Sequence, residues 1–158
     1  METAAEAFFR IASGGGIHAF LILLMPFSIS DHLTFGFALT VLTAAYAVLL
    51  AVTTLPGLIA FLLERRRAGR RAPTLRATKA APSAVAALLY ACLPASLIIT
   101  EGPDPEIIAI SLAAALFGYL VHRACLAVAF SSAAGAVVRT VALIAPLLLI
   151  TGLASALR

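Results

Sequence analysis

LTFGFALTVLTAAYAVLLAVTTLPGLIAFLL, residues 33–63, carries no charged side chain from end to end. A spanning helix needs about 20 apolar residues to cross roughly 30 Å of hydrocarbon. This stretch exceeds that length without an interruption, so it reads as a membrane helix. Whole-chain composition agrees. Of the 158 residues, 63% are hydrophobic and 11% charged, with a mean hydropathy of +1.09. A soluble domain carries about a quarter of its residues charged, so most of this surface must face lipid or other apolar helices.

Moving outward from residues 33–63, four more segments follow the same pattern. Residues 11–30, 80–100 and 140–157 are free of charge, and residues 107–130 are interrupted only by His122 and Arg123. Helices, with every backbone group bonded internally, are the economical way to place such segments in lipid. A β-barrel would need alternating segments of about ten residues, and these are absent. The expected fold is an all-α membrane protein in one domain over 1–158. It is a bundle of about five transmembrane helices, crossing at about 14–30, 34–63, 82–100, 106–129 and 138–157.

The first crossing has only 14 residues, 17–30, unless Gly14, Gly15 and Gly16 are helical too, and a short re-entrant or tilted segment is the alternative. Before it, Thr3 and Glu6 have capping-box spacing, and Glu2, Glu6 and Arg10 recur every four residues. Ala5, Phe8, Phe9 and Ala12 fall on the other side, which predicts a short N-terminal amphipathic helix lying on the inner surface. The basic start and small-residue cleavage site of a signal peptide are missing.

Seven of the eleven basic residues lie in one loop, expected over 64–81: Arg65, Arg66, Arg67, Arg70, Arg71, Arg76 and Lys79. Lys and Arg clusters stay on the cytoplasmic side. Five crossings then place Arg10, Arg123 and Arg139 inside too, with Asp31, Glu101, Asp104 and Glu106 outside. This predicts a cytoplasmic N-terminus and a periplasmic C-terminus in a bacterial inner membrane. Arginine outnumbers lysine ten to one, which fits a GC-rich bacterium. The basic loop suits anionic lipid headgroups, at about 1 kcal/mol per residue near the surface. An acidic partner docked on arginine forks is the sharper reading. Nucleic acid is not expected, because the loop offers no aromatic residue for base stacking.

No Asp or Glu falls in the interior of an expected crossing, Glu106 standing at the outer end of the fourth, which argues against proton-coupled carriers, intramembrane aspartic proteases and metal-dependent lipid transferases. Cys92 and Cys125 do not form a paired-cysteine motif. Walker, Gly-x-Ser-x-Gly and His-Glu-x-x-His motifs are absent, so no enzymatic activity is expected. Pro26, Pro56, Pro94 and Pro146 lie inside four crossings. Broken helices build substrate sites in transporters, although proline is common in membrane helices generally. Gly36, Thr40 and Ala44 share one stripe, and Ala114 and Gly118 another; such stripes let helices approach closely, within the bundle or against a neighbouring subunit.

His18 and His122 have matched depths in this topology, about a turn inside the inner face, with Gly118 one turn before His122. Opposed across a gap of cofactor size, they have the chemistry to clasp a haem iron, and one alone to hold a chlorophyll-type pigment. Cys125 would face the same space. The plainer reading places His122 and Arg123 at a cytoplasmic helix end, where basic groups favour the dipole and snorkel. His32, beside Asp31, reads as solvated. Together these features predict an accessory, non-catalytic subunit among other membrane subunits of an inner-membrane complex, energy-transducing (respiratory or photosynthetic) in character. The alternatives are a small transporter or channel component and a haem- or pigment-binding protein.

Overall fold

The computed structural model describes residues 3–24, 35–69 and 74–155. They form five helices, with no strand among the described residues: α1 (Ala4–Leu23), α2 (Phe35–Ala68), α3 (Arg76–Glu101), α4 (Pro105–Ala129) and α5 (Ala136–Ser155). The protein is an all-α membrane bundle. Four helices are long and apolar enough to cross a bilayer, and a fifth is counted when the two halves of α3, bent by 43° between Cys92 and Pro94, are taken as one span.

The start of α1 follows the expected cap. Glu6 N–H donates to Thr3 Oγ1 at 3.1 Å, and Thr3 N–H donates to Glu6 Oε2 at 2.7 Å. The separate amphipathic surface helix is not there. From this cap α1 runs unbroken through Gly14–Gly16 to Leu23. Ala7, Ile11, Ala12 and Ser13 are buried, so one face of its first half packs into the bundle while Ala5, Glu6 and Phe8 stay exposed. The glycines explain why. A Cβ on Gly14 would sit 2.6 Å from Leu126 Cδ2 of α4, and one on Gly16 would run into the carbonyl oxygen of Ala142 on α5. Without side chains at these points, α1 sits in contact with α2, α4 and α5 together. It is also the least apolar of the four unbroken spans, so enclosing it keeps its polar groups out of lipid.

Hydroxyls add specific ties. Ser13 donates to Phe9 O at 2.6 Å and reaches Arg139 O at 3.2 Å. Tyr46 donates to Leu143 O at 2.8 Å, joining α2 to α5 beside a core of Ala19, Tyr46 and Ile150. The outer faces of α4 and α5 are aliphatic and exposed, with Leu112, Leu116, Leu120, Val141 and Leu148 pointing outward. A face of this kind is stable only against lipid or another apolar surface.

Side-chain pairings set the directions. Arg10 lies over the Phe130 ring, Gly14 faces Leu126, and His18 meets His122, so α1 and α4 are antiparallel. Lys79 Nζ lies 5.0 Å from the centroid of the same Phe130 ring. The basic residues Arg10, Lys79 and Arg139 thus gather at one end. Arg139 Nε donates to Ala129 O at 3.0 Å, and Nη2 reaches Ser131 O at 3.4 Å. It satisfies the Ala129 carbonyl at the end of α4, which no helical N–H can reach, and joins Ala134 N–H on the Ser131 carbonyl in the turn beyond.

The basic connection is shorter than expected over 64–81. Helix α2 continues through Arg65, Arg66 and Arg67 to Ala68, and α3 already begins at Arg76. Arginine, glutamate and alanine are good helix formers, so α2 runs on past its apolar stretch. Glu64 then locks the corner. Its carboxylate accepts from Thr74 Oγ1 (2.9 Å), Ala77 N–H (2.9 Å), Thr78 N–H (3.3 Å) and Thr78 Oγ1 (2.7 Å). Anionic oxygens at a helix N-terminus satisfy orphan donors and oppose the dipole. Partial burial pushes the Glu64 carboxyl up, but the hydrogen bonds from Thr78, Ala77 and Thr74 outweigh it and hold it below the usual range.

Candidate functional site

Three polar side chains from three helices meet inside the bundle: His18 on α1, Tyr90 on α3 and His122 on α4. His18 Nδ1 and His122 Nδ1 are 2.8 Å apart, and His18 Nε2 lies 2.9 Å from Tyr90 Oη. Both imidazoles are fully buried. The His18 and Tyr90 rings stack at 5.5 Å with only 10° between their planes. Phe117 closes the far side of Tyr90 at 5.9 Å.

Small residues admit this cluster. A Cβ on Gly118 would lie 2.8 Å from the Cγ and Cδ2 atoms of Tyr90, so Gly118 makes room for that ring one turn before His122. The glycines of α1 bring its backbone close enough for His18 to reach both neighbours. Cys125, three residues beyond His122, is buried on the same helix, whereas Cys92 is exposed. The stripe of Gly36, Thr40 and Ala44 is used differently. All three are exposed, and nothing lies within 4 Å of a Cβ on Gly36, so this stripe does not serve the internal packing.

The histidines therefore come together, but not across a cofactor-sized gap. Two imidazoles on opposite sides of one metal, at roughly 2 Å each, would hold their nitrogens about 4 Å apart. At 2.8 Å they share a proton instead. His18 is eight residues along α1 from Arg10, and His122 eight along α4 from Phe130. At roughly 1.5 Å per residue both lie about 12 Å from the Arg10–Phe130 pair, level with each other in the bundle.

Hydrogen-bond logic restricts the protons. A neutral imidazole has one N–H and one lone pair. If His18 donates through Nδ1, its Nε2 accepts from Tyr90; if it accepts at Nδ1, its Nε2–H donates to Tyr90. His122 takes the complementary tautomer in each case. Its own Nε2 is buried and has no hydrogen-bond partner among the described residues, and the same holds for Nη1 of the neighbouring Arg123. A buried polar atom left unpaired costs about 1–3 kcal/mol, which makes His122 Nε2 the chemically open point of the cluster.

The expected basic patch is divided by the fold. Arg65 and Lys79 are half-buried, and Arg66, Arg67 and Arg76 are exposed. Arg70 and Arg71 lie outside the described residues, as do Pro26, Asp31 and His32. Tyr90 and Glu64 are the residues that sequence reasoning missed. A lone tyrosine in an apolar run looks like packing; its signal was a hydroxyl that has to find a partner when buried. The signal for Glu64 was the one carboxylate in a cluster of arginines.

An apolar cleft of about 390 Å³ lies near the site, lined by residues that include Ala19, Leu23, Leu42, Tyr46, Leu49 and Leu89. It offers aliphatic surface and little polar chemistry. No protein-family model matches this chain, and no curated protein or solved structure is detectably similar to it.

Proposed function

We propose that this chain is an accessory, non-catalytic multi-pass subunit of an energy-transducing complex in a bacterial inner membrane, with its N-terminus cytoplasmic and its C-terminus periplasmic. The observation that carries the reading is the buried Tyr90–His18–His122 cluster. Ionisable groups inside a membrane are costly and are kept for work, above all where protons or electrons cross. Supporting it, every Asp and Glu in the described helices lies near a helix end, at Glu6, Glu64, Glu101 and Glu106. The cluster therefore has no carboxylate to act as general base. The exposed aliphatic faces and the Gly36–Thr40–Ala44 stripe suit packing against other membrane subunits, and the basic end suits anionic headgroups.

Two other readings each draw on one observation. The 43° bend of α3 at Pro94 favours a small transporter or channel component, in which a broken helix exposes backbone groups to a substrate. The open His122 Nε2 favours a single-point ligand for a haem or chlorophyll-type pigment. Purification from native membranes in mild detergent separates the three. Co-migration with a large complex supports the accessory subunit, whereas a colourless small homo-oligomer supports the transporter and overturns it. Visible absorbance that is lost in His122→Leu supports the pigment protein.

A further inference from the structure

We propose that Tyr90, His18 and His122 form a proton relay inside the bundle, entered at His122 Nε2. The inference goes beyond membership of a complex and rests on the geometry of the three side chains alone. Each link is at hydrogen-bond distance, 2.8 Å between the Nδ1 atoms and 2.9 Å from His18 Nε2 to Tyr90 Oη. Each link also connects groups able both to donate and to accept. The stacking of His18 on Tyr90 and the packing of Tyr90 against Phe117 and Gly118 hold the rings in line.

One passage balances as follows. His122 begins with its proton on Nδ1 and a lone pair on Nε2, and His18 with its proton on Nε2. A hydronium ion gives a proton to His122 Nε2 and becomes water. The Nδ1 proton of His122 moves to His18 Nδ1, and the Nε2 proton of His18 moves to Tyr90 Oη. The original hydroxyl proton of Tyr90 leaves to water. One proton has entered and one has left, no residue has changed its net charge, and both rings have exchanged tautomers. A proton travelling the other way restores the first state. A hydrogen bond with a purely structural role has no need of the second state.

That difference is measurable. The full chain, labelled with 15N-histidine and reconstituted in lipid bilayers, is examined by solid-state NMR, which distinguishes Nδ1–H from Nε2–H rings. The relay predicts that both rings exchange in step between the two tautomer pairs. In Tyr90→Phe the stacked ring remains but the outer proton of His18 has no hydroxyl to pass through, so the exchange slows by about tenfold or more, the equivalent of one lost hydrogen bond. A thermal melt of the variant checks that the bundle is intact. A single fixed tautomer pair in the unaltered protein, or an unchanged exchange rate in the folded Tyr90→Phe protein, overturns the proposal.

Discussion

His18 and His122 each satisfy the other's Nδ1, so removing one strands the Nδ1 of its buried partner. His18→Leu and His122→Leu are each expected to destabilise the bundle by about 1–3 kcal/mol, the cost of an unpaired buried polar group. The double variant should cost about 1 kcal/mol less than the two together, because it strands neither ring of the pair. Unfolding in detergent mixtures measures the cycle, and simple additivity would argue against the shared proton. The glycines offer a second contrast. Gly16→Ala drives a methyl into the Ala142 carbonyl and should cost about 1–3 kcal/mol by overpacking. Gly36→Ala meets nothing within 4 Å and should be neutral or slightly stabilising in the same assay, since alanine is the better helix former. The histidines were readable in the sequence because ionisable groups stand out in an apolar run. Their partner was not, since Tyr90 is equally at home as core packing, and only the stacking of three helices reveals what its hydroxyl meets.

At the scale of elements, the α2–α3 corner depends on one carboxylate. The Glu64 carboxyl is held below its ordinary value, near 4.5, by its hydrogen bonds to Thr78, Ala77 and Thr74. A lowered folded-state pKa means that its stabilisation is fully present above that ordinary value and is lost as pH falls through the folded one. Glu64→Gln should therefore lower stability at neutral pH and flatten its decline in acid. Unfolding followed across the acidic range tests this, and equal acid sensitivity in both proteins would remove Glu64 as the cause. Helix existence was readable from uninterrupted apolar runs, whereas helix ends were not. The Thr3–Glu6 cap and a first crossing beginning at Gly14–Gly16 are both legible in the sequence, but the two read as separate helices, since each glycine costs about 1 kcal/mol against alanine within a helix. Here the close approach of α4 and α5 outweighs that penalty. Likewise Arg65–Arg67 read as loop by charge, although their helix propensity lets α2 continue.

For the whole molecule, the basic end bears on both orientation and assembly. If that end serves topology and lipid contact, replacing the exposed Arg66, Arg67 and Arg76 with Gln leaves Arg65, Arg70, Arg71 and Lys79 to hold orientation, and association with other subunits should survive. Release of a partner by that change and by high salt, which screens exposed ion pairs, would instead show acidic docking. The bundle itself followed from composition, because lipid-sized apolar runs admit few other folds. Bundle order did not: nothing in the sequence marked α1 as the central helix. Its placement depends on three glycines and two polar residues finding partners at once.

The five-span bundle stands on α3 crossing the membrane despite its bend: its first half, Arg76–Cys92, brings Tyr90 to the histidines, and its second half, Pro94–Thr100, has to complete the span. Reporters fused after Lys79 and near Asp104 test this directly. The account predicts cytoplasmic behaviour after Lys79 and periplasmic behaviour at Asp104. The same side for both would make α3 a re-entrant segment and contradict the five-span bundle.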